Sequence, residues 1–85
     1  MSVYQVQKLI QNVNRNAEAR ERFFQNKDGF VKEFELTDEE GLAIAELRIH
    51  SLYEMGVHPL LLRPFTIIHG VSEPDYLSAI RNGDN

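Results

Sequence analysis

Three histidines, His50, His58 and His69, are the side chains of this sequence best suited to ligating a metal or moving a proton, and they stand 8 and 11 positions apart. A metal site built on one helix needs two histidines a turn apart with a further ligand close by, and neither spacing supplies that. The chain has no cysteine, so thiolate zinc sites, disulfides and a cysteine nucleophile are all removed. Asp38, Glu39 and Glu40 form a run of carboxylates directly after Thr37. Acid–base chemistry is one use for such a run; the simpler one is a helix start, with threonine as cap and the acids facing the positive end of the helix dipole. Ser2, Ser51 and Ser72 lack the strand–turn–helix setting of an activated nucleophile, and no glycine-rich phosphate loop is present. The pattern therefore assigns no catalytic residue, no metal ligand and no cofactor to this chain. Arg63 remains, set between Leu62 and Pro64 in the most apolar stretch. A guanidinium there can meet a carboxylate of a partner or clamp an anionic ligand; the plainer use is an aliphatic stem on apolar surface with its head in water.

The stretch that holds Arg63 runs from Gly56 to Tyr76 and contains all three prolines, two of the histidines and the densest apolar run. It is too apolar for an ordinary surface loop. With Arg63 and Pro64 inside it, it is also too short to cross a membrane, which takes about 20 apolar residues. Pro59 suits the first position of a helix that continues through Leu60, Leu61 and Leu62, while Pro64 removes a hydrogen bond and calls for a kink or a restart. Thr66-Ile67-Ile68 favours strand but is too short to form one alone.

Helices must carry this stretch. Ser2 and Gln5 make a capping box ahead of Val3, Val6, Leu9, Ile10 and Val13, which recur at helical spacing to near Asn14. Asn16 caps a second helix with Ala19, Phe23 and Phe24 inward, ending near Asn26. Asp28-Gly29 breaks the pattern before a short third helix carrying Phe30, Val31 and Phe34. Thr37 opens a fourth, with Leu42, Ala45 and Ile44 inward. The apolar phase drifts between Glu46 and Arg48, so a bend is expected before Ile49, Leu52 and Met55, and Gly56 closes that helix. Ser72-Glu73-Pro74-Asp75 starts a last helix through Tyr76, Leu77 and Ile80, which Gly83 stops. The expected fold is all-α, one domain over residues 1–85 with about five to seven short helices.

At 85 residues and net charge −4, the chain is small in core and wrong in sign for general nucleic-acid binding. Residues 37–85 hold three basic and eight acidic side chains, against six and five in residues 1–36, so the more apolar half is also the more acidic. The N-terminus lacks the basic head and apolar core of a signal peptide, and a cytoplasmic location is expected. A lone enzyme needs a pocket of a few hundred Å³, larger than so small a core readily builds. The chain is expected to act through a partner, with Val57, His58, Leu61, Arg63, Phe65 and Ile68 as the interface candidates.

The order of features resembles the LigA-type small (alpha) subunits of extradiol ring-cleavage dioxygenases, the family of the protocatechuate 4,5-dioxygenase small subunit. The resemblance is carried by Tyr4-Gln5-Val6-Gln7-Lys8-Leu9, Asn16 to Phe23, Phe34 to Thr37, Leu52 to Gly56 and Gly70 to Tyr76, with Arg20-Glu21-Arg22-Phe23 and Gly70-x-Ser72-x-x-x-Tyr76 the most specific parts. It implies an all-helical subunit packed on a larger catalytic one, which holds iron(II) through two histidines and a carboxylate. This chain would then help close that site over a catecholic ring, with two small and two large subunits by family analogy and no iron ligand of its own. Members serving protocatechuate carry an N-terminal extension and a longer loop where this chain has Pro64 to Ile68. Phe65 is the candidate for the residue placed over the substrate. The alternative is a LigA-like recognition domain that presents a peptide to a modifying enzyme or associates with itself.

Overall fold

Asn16, Asn26, Thr37, His58 and Ser72 open five helices by one device, a side-chain acceptor that takes a backbone N–H left unpaired in the first turn. The computed structural model describes residues 3–82 as α1 (Val3–Arg15), α2 (Ala17–Gln25), α3 (Lys27–Val31), α4 (Asp38–Ala45), α5 (Ile49–Glu54), α6 (Pro59–Ile68) and α7 (Glu73–Asn82). No strand occurs among the described residues, and Thr66-Ile67-Ile68 is the last turn of α6. The cap expected at Ser2 and the stop at Gly83 lie outside the described residues.

Thr37 forms the full reciprocal cap: the Glu40 N–H donates to Thr37 Oγ1 at 3.1 Å, and the Thr37 N–H to Glu40 Oε1 at 2.8 Å. The carboxylate run is thus spent on starting α4. Asn26 both closes α2 and opens α3, its Oδ1 accepting from the Gly29 N–H at 3.1 Å. Asp28-Gly29 therefore lies inside α3 instead of breaking the chain before it, and Phe34 falls in the turn that follows. A Cβ on Gly29 would meet Asn26 Nδ2 at 2.5 Å, so a side chain there has to displace the capping amide.

Three helices end on a left-handed residue, Leu47 (φ 53°), Gly56 (φ 104°) and Gly70 (φ 82°). In each, the next N–H reaches back over the last turn, Arg48 to the Ala43 carbonyl at 2.8 Å, Val57 to Leu52 at 3.1 Å and Val71 to Thr66 at 3.0 Å. Glycine accepts this conformation readily, whereas leucine pays about 1–3 kcal/mol. Leu47 offsets that strain by packing partly against the core. The bend expected between Glu46 and Arg48 is this turn.

Consecutive helices pack from α1 to α6, α6 returns to α1, and α7 lies on α5, so six helices close a ring. Two polar clasps hold the closure. The His58 N–H donates to Gln7 Oε1 at 2.8 Å, and Asn14 Nδ2 donates to the Leu61 carbonyl at 3.0 Å. At the corner between α1 and α2, Arg20 donates to the carbonyls of Val13 (3.1 Å) and Asn14 (2.8 Å), occupying the negative end of α1.

The core is filled by Val6, Leu9, Ile10 and Val13 of α1, with Phe23, Phe30, Ile44, Leu52, Leu62 and Phe65 facing them. Two inward assignments are corrected. Phe24 is 43% exposed and Leu42 45% exposed. Adjacent helical positions are about 100° apart, so Phe23 takes the core and Phe24 is left on the rim. On α4 the buried pair is Ala43 and Ile44, and Leu42 instead lines a shallow groove with Val31, Phe34 and Leu36.

Candidate functional site

His58 is the N-cap of α6: its Nδ1 accepts from the Leu60 N–H at 3.0 Å, and Pro59 follows at the start of the helix. One helix then runs through Pro64 with no restart. Pro64 has no N–H to offer the Leu60 carbonyl, and Leu60 is 78% exposed. Of the kink or restart expected from sequence, the restart does not occur.

This helix divides the interface candidates into two groups. Val57 and Phe65 are enclosed by the chain's own core, at 2% and 0% exposure. Phe65 lies between Phe23, with ring centroids 5.8 Å apart, and His69, at 4.7 Å. Leu61, Arg63 and Ile68 are half-buried at the edge of α6, and His58 is exposed. The apolar surface that α6 does present is Leu60, Pro64 and Ile67, at i, i+4 and i+7 on one stripe, with Leu60 and Ile67 78% and 55% exposed. Neither Leu60 nor Ile67 was among the interface candidates. Their spacing is the signal that could have found them once the helix was known to continue through Pro64.

His69 sits at the C-terminal end of α6 among Phe23, Phe24 and Phe65, its Nδ1 2.7 Å from the Phe65 carbonyl. That contact makes Nδ1 the donor and leaves Nε2 buried without a partner. Burial lowers the His69 pKa below its ordinary value; the bond to Phe65 opposes this and the nearby Lys27 ammonium adds to it. Between the lowered value and the ordinary one, the unfolded chain binds more protons than the folded one, so stability is full above about pH 6.5 and falls as the pH drops. Urea midpoints measured at about pH 7 and about pH 5.5 should therefore differ less in His69→Phe than in the parent. An unchanged difference would remove His69 as a source of the acid sensitivity.

Arg63 is tied back onto the end of its own helix. Its Nη1 donates to Thr66 Oγ1 and to the Val71 carbonyl, both at 3.2 Å, and its guanidinium carbon lies 5.0 Å from the centre of the Tyr76 ring. Thr66 is fully buried and donates in turn to the Arg63 carbonyl at 2.7 Å. Burial raises the Tyr76 pKa, against the pull of Arg63.

The three histidines do not converge. His50 Nδ1 lies 3.2 and 3.1 Å from the carbonyls of Ala79 and Ile80, and its Nε2 3.2 Å from Glu54. His58 caps a helix and His69 faces the aromatic cluster. Among the described residues no three His, Cys, Asp or Glu side chains are gathered as metal ligands would be.

The two most specific stretches of the sequence prove to be helix junctions. In Arg20-Glu21-Arg22-Phe23, Arg20 closes α1, Arg22 pairs with Glu33 and lies 5.2 Å over Phe30, and Phe23 centres the core. In Gly70 to Tyr76, Gly70 turns the chain, Ser72 caps α7 through the Asp75 N–H at 3.3 Å, and Tyr76 lies beneath Arg63. The sequence matches the family described as the LigA subunit of the aromatic-ring-opening dioxygenase LigAB over residues 6–84. No curated protein and no solved structure matches it significantly. With nearly its whole length matched, and with both characteristic stretches built as junctions of one helical ring, the chain belongs to the LigA subunit family of aromatic-ring-opening dioxygenases.

Proposed function

We propose that this chain is the noncatalytic small subunit of a two-component extradiol dioxygenase, docking on a larger iron(II)-bearing subunit and helping to close its active site over a catecholic substrate. The observation that carries the proposal is the Leu60–Pro64–Ile67 stripe, an apolar surface left uncovered on a chain of this family. Leu60 and Ile67 make the contact, His58, Leu61 and Ile68 form its margin, and Val57 and Phe65 hold the stripe in shape from beneath. A lid role for Phe65 then means supporting the residues that meet the partner.

The chain contributes shape and exclusion of water, and the large subunit supplies the redox metal. The test is co-expression with the large subunit of a ring-opening dioxygenase encoded beside it, followed by size-exclusion chromatography and O2 uptake with iron(II) and a panel of catechols. A stable complex in which ring cleavage depends on this chain is the expected result. Separate elution, with cleavage by the large subunit unchanged, would overturn the proposal.

A further inference from the structure

Arg63 is the single Lys or Arg between Arg48 and Arg81, in a segment that also carries Glu54, Glu73 and Asp75. None of those carboxylates pairs with it among the described residues. Its position is nevertheless held: Nη1 donates to Thr66 Oγ1 and the Val71 carbonyl, and the guanidinium carbon lies 5.0 Å over the ring of Tyr76, which is 8% exposed. The other edge, carrying Nε and Nη2, has no acceptor among the described residues. Buried side-chain nitrogens or oxygens without a partner occur among the described residues only at Asn14 Oδ1 and His69 Nε2, so Nε and Nη2 reach solvent. A guanidinium held by one nitrogen and one face, with its two-donor edge open, has already lost much of the rotamer freedom that binding an anion would otherwise cost.

We propose that Arg63 and Tyr76 form a carboxylate-binding site, in which Nε and Nη2 of Arg63 donate in parallel to the two oxygens of one carboxylate. The planar edge of a guanidinium matches the two oxygens of a carboxylate. The site is a property of this chain alone. The source of its carboxylate rests on the subunit reading, and is either an acidic side chain of the large subunit or the acid group of an aromatic substrate.

The experiment is a titration of the full 15N-labelled chain with sodium acetate, sodium benzoate and neutral benzamide at constant ionic strength, following the Arg63 Nε–H resonance and the Thr66 and Val71 amides. Saturable shifts with both carboxylates, at a dissociation constant on the order of millimolar for one such bidentate pair, and none with benzamide, are expected. Arg63→Gln should abolish the amide shifts. Benzoate about tenfold tighter than acetate identifies an aromatic acid as the source, and equal affinities identify an acidic side chain. Shifts that stay linear and match those of sodium chloride, or that saturate while the Arg63 resonance stays still, overturn the proposal. No large subunit is present in the titration, so a negative result leaves the docking proposal standing, and a failed co-purification leaves this one standing.

Discussion

Phe23→Ala should cost about 3–5 kcal/mol, the usual penalty for emptying a buried aromatic site. A domain of this size has little more than that in reserve. Phe23 is fully buried and meets four rings, Phe24 at 5.3 Å, Phe30 at 5.7 Å, and Phe65 and His69 at 5.8 Å. Three helices, α2, α3 and α6, lose their shared filling at once, and the stripe on α6 loses its support. Urea denaturation followed by circular dichroism should show little or no cooperative transition for Phe23→Ala, whereas Phe23→Leu, which retains most of the volume, keeps one. A Phe23→Ala midpoint close to that of the parent would mean that the aromatic cluster does not hold the ring together.

The second large effect falls on association and spares the fold. Leu60→Asp with Ile67→Asp should weaken binding to the large subunit by at least about 100-fold, since each substitution removes about 1.5–3 kcal/mol of apolar burial and places a charge in the interface. Both side chains are more than half exposed, so the circular dichroism spectrum and urea midpoint should stay near those of the parent. Isothermal titration with the large subunit separates the two readouts. Undiminished affinity would move the interface elsewhere, and a collapsed fold would show that the stripe is structural.

Local signals were legible where one residue does one job. Thr37 and Asn16 open helices as their capping patterns require, and Gly56 and Gly70 close them. The all-α architecture follows from these signals and from the spacing of Val6, Leu9, Ile10 and Val13. Legibility failed where tertiary packing chooses between neighbours. Phe23 and Phe24 are the same residue type on adjacent positions, and only α6 lying over one of them makes it core. Leu42 is more apolar than Ala43, yet Ala43 is buried and Leu42 lines a groove. Two of the interface candidates are buried for a related reason: apolar density marks Val57 and Phe65, but it does not say which apolar residues the chain itself covers. Contacts such as Asn14 to Leu61 join residues 47 apart and leave no local trace.

The closure of α1 on α6 also sets a schedule for synthesis. Gln7 and Asn14 find their partners 51 and 47 residues later, at His58 and Leu61. When α1 leaves the ribosome it thus carries an apolar face of Val6, Leu9, Ile10 and Val13 with its covering helix still unmade. Residues between can form helices and local corners as they appear, because those contacts are short in sequence and cheap to close. The ring itself shuts only when α6 has emerged. Until then these residues are a string of helices with an adhesive face on α1, and the ring exists only once α6 has caught up with α1.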